Sequence, residues 1–315
     1  MPAQSVRVAA QDLRALATDI LVAAGLTPNH ARTITDAFIW ANLRGIDAHG
    51  VVGLPRYLEM FEHEQANAHP SIDVQRIRHS TLLVDADRAP GPLALTVAMR
   101  EAMPVARQTG VVWAAVRGTV HTGAIGYYTS MASAEGMAAI GIVAGAANTT
   151  STSNGEAQSA GSVTTPFSIA LPAQRHPDFL LDMATASLAL GKITHAAGAG
   201  MSLALELLTS GISGNPLLSQ FGAGANDDRQ NATLVVVDVS AFLPVDDFRA
   251  IVDETIDAVT ARPSMGDDAV PIPGARGAAC YAERSRDGVP LPSEIWAALL
   301  DVAEGFDISV PEPMA

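Results

Sequence analysis

The stretch "VVWAAVRGTVHTGAIGYYTSMASAEGMAAIGIVAGAAN", residues 111–148, decides the fold class. It opens with apolar residues at the density typical of a buried strand. The part from His121 to Met137 is rich in small residues and predicts a helix, and the apolar run after it predicts a second strand. A strand, a helix and a strand in succession indicate an α/β fold.

The same alternation continues on both sides of this stretch. Upstream, Thr27 and Pro28 stand where the N-cap and the first residue of a helix are expected. Further strands are predicted at "STLLVDADRAPG", "FSIALP", "DFLLDM" and "ATLVVVDV". Helices are predicted at "AAQDLRALATDILVAAG" and "TPNHARTITDAFIWANLRG", from Val51 to Glu59, and over 92–110, 188–208, 245–261 and 292–305.

The composition narrows the class of protein. The chain has 315 residues, 48% of them hydrophobic and 17% charged, as in a globular protein with a sizeable core. Its net charge of −14 disfavours nucleic acid and anionic membrane surfaces, because those partners need basic patches. The N-terminus lacks an apolar signal region and the single Cys280 precludes an intrachain disulfide. We therefore expect a cytoplasmic protein whose partners are neither nucleic acid nor a membrane.

His121 is the first candidate for chemistry. It follows the predicted strand and begins the predicted helix, and in α/β folds ligands bind at such corners. An imidazole there suits proton transfer near neutral pH. The alternative, a histidine that only helps to cap the helix, is equally compatible with the sequence.

Two further segments hold candidate polar groups. In "RGIDAHGVVGLPRY", residues 44–57, His49 is either a turn residue or a catalyst at the exit of a helix. In "LLDMATAS", Asp182 ends an apolar strand, so it needs backbone N–H groups, an arginine or a ligand hydroxyl as partners. A cofactor ribose and a structural network both remain open. The histidine spacings do not match a zinc site, and we expect no metal.

Several motifs together resemble the type-2 malate/L-lactate dehydrogenase family over the whole chain, as a divergent member. The resemblance implies a non-Rossmann α/β fold in which helices surround a mixed sheet. It also implies a homodimer that binds NAD or NADP and a 2-oxo or imino acid. The motifs are "RGIDAHGV…LPRY", "HTGAIGYY", "TTPFSIALP", "LDMATASLALGKI", "LALELL" and "IPGARG…ERSRDGVPLPSEIWAALL".

The resemblance also implies roles for individual residues and a division of the chain. The predicted catalytic residues are His121, His49 and Tyr57. The predicted substrate contacts are Thr164, from the family motif, and Arg56 and Arg44, in place of a family arginine that this chain lacks. The predicted cofactor contacts are Asn148, Asp182, Met183 and Ala184. The predicted segments are an N-terminal helical segment (1–75), a central α/β cofactor and substrate domain (76–240), and a C-terminal helical segment that packs on the N-terminal part (241–315).

The chain departs from the family pattern at the predicted site. Ala48 replaces the family serine, Gly53 replaces the arginine that binds the substrate, and the site lysine is absent. A stretch of a few dozen family residues is missing after Lys192, which shortens the 192–200 region. Two hypotheses follow. One is an NAD(P)H-dependent oxidoreductase of specialised metabolism that acts on a small oxo, hydroxy or imino substrate. The other is a redox-inactive descendant that has lost the cofactor and uses the same cleft for acid/base chemistry, as an isomerase, lyase or cyclase.

Overall fold

The computed structural model describes residues 5–145, 162–163, 165–183, 188–189, 196–215, 229–261 and 271–314. Strands and helices alternate along most of this length. The strands are β1 (Ser5–Val8), β2 (Asp73–Arg78), β3 (Thr81–Asp85), β4 (Val111–Val120), β5 (Ala138–Gly145), β6 (Ser162–Val163), β7 (Phe167–Leu171), β8 (Phe179–Met183), β9 (Leu188–Ala189), β10 (Arg229–Val237) and β11 (Val289–Pro292). The α-helices are α1 (Ala10–Ala23), α2 (Pro28–Leu43), α3 (Leu54–Glu62), α4 (Gly91–Thr109), α5 (Ile125–Ala134), α6 (Ala196–Glu206), α7 (Val245–Thr260), α8 (Ala275–Asp287) and α9 (Ser293–Gly305).

Residue contacts group the chain into two units. The first comprises Met1–His69 and Gly274–Ala315, and the second comprises Pro70–Pro273. The three-segment division predicted from the sequence stays a prediction. None of the helices in the described ranges has the length and apolar character needed to cross a membrane.

The first unit joins the two ends of the chain. β1 pairs antiparallel with β11, which sets Val8 opposite Val289, and both side chains are buried. α2 begins as its sequence predicts, because the Thr27 side chain accepts a hydrogen bond from the His30 N–H. The apolar positions of α1 and α2 recur at helical spacing and form the core of this unit: Leu13, Leu16, Ile20, Ile34 and Phe38.

The second unit is built on a mixed seven-stranded sheet in the order β2-β3-β4-β10-β5-β7-β8. β3 and β4 pair in parallel and are joined by α4, whereas the other neighbours pair antiparallel. The late strand β10 lies between β4 and β5, so the sheet centre is completed far along the chain. α4 packs on β4 and β10, and α5 packs on β5 and β7. This architecture confirms the predicted α/β fold with a mixed sheet and surrounding helices.

Two predicted helices differ from the structure. The helix predicted from His121 begins only at Ile125, because His121 and Gly123 have φ angles of +27° and +69°, which a right-handed helix does not contain. The helix predicted over 188–208 is wrong at its start. Leu188–Ala189 pairs as β9 with β6, and α6 begins at Ala196 before passing into a π-helical segment, Leu207–Gly211.

Candidate active site

His121 lies in a short loop between the end of β4 and the start of α5. Its φ of +27° is unusual for a residue with a side chain. Non-glycine residues keep such a backbone only where their surroundings enforce it, and they are frequent at functional sites. The loop is also tightly packed, since a Cβ atom at Gly91 would come within 2.3 Å of the Thr122 Cα atom. The structure thus places His121 at the predicted strand end, in a constrained loop.

Asp182 binds the N-terminus of the helix that follows this loop. Its Oδ2 atom accepts a 2.8 Å hydrogen bond from the backbone N–H of Gly126, the second residue of α5. That N–H has no partner within the helix, and the positive end of the helix dipole favours a carboxylate here. Burial nevertheless raises the pKa of Asp182, and the Gly126 hydrogen bond only partly offsets this effect. His121 and Asp182 are therefore brought to the same end of α5.

The other predicted cofactor contacts are placed only in part. Met183 ends β8 with a side chain that is 45% exposed, so it is available to a ligand. Asn148, Thr164, Ala184 and Lys192 lie outside the described residues.

The first unit folds residues 44–57 around a buried asparagine. Asn42, near the end of α2, accepts a 2.9 Å hydrogen bond from the Val51 N–H and donates a 3.0 Å hydrogen bond to the Asp47 carboxylate. Gly50 packs against the same side chain, because a Cβ atom at this position would lie 2.3 Å from the Asn42 amide. This network places His49 at the end of a short 3-10 helix, Asp47–His49.

An arginine from the distant C-terminal segment completes the network. Arg284 of α8 binds both carboxylate oxygens of Asp47, at 2.6 and 3.0 Å, and the carbonyl oxygen of Asn42. The bidentate contact to Asp47 fixes the loop geometry. Sequence reasoning missed Asn42 and Arg284. A polar residue at an apolar position of α2 was the available signal for Asn42, whereas nothing local pointed to Arg284.

His49 and Tyr57 have perturbed acid–base properties. Burial lowers the pKa of the His49 imidazole, so the ring is neutral at neutral pH. The Tyr57 side chain is only 1% exposed and packs edge-on against Phe38 and Phe61. This burial raises the pKa of the Tyr57 phenol, opposed only in part by the charge of Arg56. Tyr57 therefore keeps its proton at neutral pH and can serve as a donor, not as a base.

The two arginines predicted to contact substrate differ in their surroundings. Arg44 is half-buried, and its guanidinium lies 4.9 Å from the centre of the Trp40 ring, within the range of a cation–π contact. Arg56 is exposed on α3. The first unit contains four of the predicted residues: Arg44, His49, Arg56 and Tyr57.

Comparisons of the sequence and of the fold with known proteins identify the same class of enzyme. The family model described as malate/L-lactate dehydrogenase matches residues 8–199 and 195–300. The malate dehydrogenase of Pyrococcus abyssi is 27% identical over 346 aligned positions, which cover 95% of this chain and 94% of that protein. The ureidoglycolate dehydrogenase (NAD(+)) of Escherichia coli strain K12 is 27% identical over 198 positions, 63% of this chain and 56% of that protein.

A solved structure shows the same fold. The malate dehydrogenase of Pyrococcus horikoshii OT3 aligns with a TM-score of 0.86 and 24% identity over 99% of each chain. The matched fold and family model define an enzyme of the dehydrogenase type. The chain belongs to the type-2 malate/L-lactate dehydrogenase family, as the sequence motifs predicted.

Proposed function

We propose that this enzyme is a nicotinamide-dependent oxidoreductase that interconverts a small 2-hydroxy acid and its 2-oxo acid. The observation that carries the proposal is His121, held with a positive φ at the end of β4, with the Asp182 carboxylate at the same end of α5. The names of the relatives support the substrate class, since they include malate, sulfolactate and ureidoglycolate dehydrogenases.

The reaction requires a group that moves one proton. Oxidation of a 2-hydroxy acid removes a hydride from carbon and a proton from the hydroxyl oxygen. We assign the proton to the His121 imidazole, because an imidazole exchanges protons near neutral pH. In the reverse direction the same ring returns the proton to the oxygen as the alcohol forms. His49, Tyr57, Arg44 and Arg56 stay predicted contributors, with the arginines as candidates for the substrate carboxylate.

The residues around Asp182 fit a nicotinamide nucleotide. Among the described residues, the Gly126 N–H is the one hydrogen-bond donor to this carboxylate, through Oδ2, so Oδ1 can accept from a ribose hydroxyl or an amide. Met183, the next residue of β8, has an exposed side chain that offers an apolar surface for a ring. When bound, the nucleotide would supply the hydride acceptor or donor. We propose Asp182 and Met183 as its contacts, together with Asn148 and Ala184.

A panel assay tests this function. Purified protein is mixed with NAD⁺ or NADP⁺ and with malate, lactate, sulfolactate or ureidoglycolate, and formation of the reduced nicotinamide is followed. We expect turnover with at least one acid, and a loss of about 10²–10⁴-fold in turnover for His121→Ala. His79→Ala, which changes an exposed histidine, serves as the matched control.

Binding measurements separate the oxidoreductase from a descendant without cofactor. In calorimetry, Asp182→Ala should weaken NADH or NADPH binding by about 1–3 kcal/mol, the cost of an unpaired polar group. If neither nucleotide binds the wild type at millimolar concentration, the acid/base hypothesis without cofactor replaces this proposal.

We also propose that the enzyme is a cytoplasmic homodimer. The homodimer proposal rests on family membership. Light scattering should give twice the chain mass of 32.6 kDa. A mass of one chain at micromolar concentration would contradict it.

A further inference from the structure

The backbone around Thr122 is held at both of its polar groups by side chains from two different elements. The Thr122 N–H donates a 2.9 Å hydrogen bond to Oε1 of Gln230 on β10. The Thr122 carbonyl oxygen accepts a 2.6 Å hydrogen bond from the hydroxyl of Tyr128 on α5. The Tyr128 side chain is fully buried. The N–H belongs to the peptide unit that joins His121 to Thr122, so its position sets the ψ angle of His121 directly.

Gln230 binds this peptide from a position where the pairing of β10 with β4 becomes irregular. Gln230 lies opposite Thr119, but Ala232 lies opposite Val116, so the register shifts between these two positions. Bulges of this kind end a regular ladder and redirect side chains, and they are frequent next to active sites. Here a side-chain amide binds the chain just beyond the end of β4.

The neighbouring residue of β10 anchors β4 from the position opposite the bulge, where β4 has one residue more than β10. Asn231 is fully buried and accepts a 3.1 Å hydrogen bond from the Gly118 N–H. The same side chain donates hydrogen bonds to the Ser210 hydroxyl and to the Asn215 carbonyl oxygen. Two successive amide side chains of β10 therefore fix the backbone on both sides of the last residues of β4.

We infer that Gln230, together with Tyr128, is a positioning residue that holds His121 in its left-handed backbone conformation and so aims its imidazole. This inference rests on the proposed proton-transfer role of His121. A left-handed backbone is disfavoured for a histidine, so without these two hydrogen bonds the loop can relax. A relaxed loop displaces the imidazole from the reacting oxygen, and proton transfer depends steeply on that distance.

The first arm of the test is kinetic and uses Gln230→Met and Tyr128→Phe. Methionine keeps the length of the side chain but removes the acceptor, and phenylalanine removes only the hydroxyl. We expect kcat to fall by about tenfold or more in each, with a smaller change in KM and an altered pH profile of kcat. Gln230→Glu keeps an acceptor oxygen and should retain more activity than Gln230→Met. The controls are Gln75→Met on the exposed strand β2 and Tyr281→Phe on the surface of α8.

The second arm observes His121 without turnover. Long-range ¹H–¹⁵N spectra report the imidazole of each of the eight histidines, and the His121 signal is assigned from its loss in His121→Asn. We expect this signal to shift or broaden in Gln230→Met and Tyr128→Phe, and to stay in place in both controls. A purely structural role would lower the melting temperature and leave the His121 signal and the pH profile unchanged.

The two arms distinguish the inference from the function on which it rests. If the wild type oxidises none of the acids, the proposed function fails, and the spectra still show whether Gln230 and Tyr128 fix the ring. If the His121 signal and kcat both match the wild type in the two variants, the positioning inference is overturned while the function stands.

Discussion

The buried side-chain amide of Asn42 fixes the backbone of the segment that follows α2. Its side chain is 1% exposed, and each of its polar atoms has a partner in the loop that follows α2. Buried amides that satisfy their hydrogen bonds in this way specify one loop conformation. The conformation of 44–57 is thus set by Asn42 and by the Asp47–Arg284 ion pair.

Removal of the Asn42 side-chain amide should destabilise the folded protein. In Asn42→Ala the Val51 N–H stays buried and loses its acceptor, so the free energy of unfolding should fall by about 1–3 kcal/mol. Urea unfolding of the variant and the wild type measures the difference. Asn29→Ala, at an exposed position of the same helix, should change stability far less. Equal losses in the two variants would show that the amide network contributes nothing particular.

His49 should make stability depend on pH in a predictable direction. Burial lowers the pKa of the folded-state imidazole below its ordinary value of 6.5. As pH falls through about 6.5, the unfolded chain therefore takes up a proton before the folded chain does, and stability is lost. The wild type should lose more melting temperature between about pH 7.5 and about pH 5.5 than His49→Gln does. The control is His79→Gln, which removes an exposed histidine and shows how the loss of any histidine changes the pH dependence of the melting temperature. If the melting temperature of the wild type falls no more steeply with falling pH than that of His49→Gln, the lowered pKa of His49 is contradicted.

At the scale of elements, the Asp182 carboxylate links β8 to the N-terminus of α5 by a hydrogen bond. The sequence indicated that Asp182 needs a partner, and the Gly126 N–H supplies one. The same contact leaves Asp182 in a partly desolvated position. Since desolvation raises its folded-state pKa, the protonated form is favoured in the folded protein.

The effect of Asp182 on the pH dependence of stability has the opposite sign to that of His49. Between the unfolded pKa of about 3.8 and the raised folded pKa, the folded chain binds more protons, so wild-type stability falls as pH rises through this window. Asp182→Asn keeps an acceptor for Gly126 and carries no charge, so it should gain melting temperature relative to the wild type from about pH 4 to about pH 7. The control is Asp301→Asn, which removes an exposed carboxylate and shows how the loss of any carboxylate changes the melting temperature. A constant difference across this range would refute the effect of burial.

Elements with strong periodicity were predictable and those that depend on distant partners were not. The apolar pattern of α2 and α4 predicted both helices within a few residues. α8 was missed because it is rich in charged residues, and none of its residues is buried in the structure. β1 and β11 are short strands that each exist through pairing with the other. The start of α5 was misplaced because small residues around Gly123 resemble a helix, although the backbone there has a positive φ.

The positions of His121 and Asp182 in the fold were predictable, whereas the residues that support His121 were not. His121 and Asp182 stand in motifs that can be read locally, and His121 lies at a strand end as expected. Gln230 supports His121 from a strand that lies between β4 and β5 in the sheet but follows both of them by far in sequence. Such a contact depends on the strand order, which local patterns do not encode.

For the whole molecule, the first unit depends on contacts between the beginning and the end of the chain. β1 pairs with β11, the Arg7 guanidinium donates to the Gly288 carbonyl oxygen, and the Met314 N–H donates to the Arg7 carbonyl oxygen. Leu291 of β11 is 3% exposed and lies opposite Val6. A weakened C-terminal strand should therefore loosen the N-terminal segment, although the two are remote in sequence.

Hydrogen exchange of Leu291→Ala tests this coupling between the chain ends. Truncation of a buried leucine leaves a cavity and should cost about 2–5 kcal/mol, much of which falls on the first unit. We expect faster amide exchange in β1 and α1, while β10 at the centre of the second unit keeps its protection, because local opening follows the contacts that are lost. Ser5→Ala at the exposed start of β1 is the control and should leave both regions unchanged. If β1 exchanges at the wild-type rate in Leu291→Ala, or if β10 loses protection equally, the first unit does not open as a separate body joined through the chain ends.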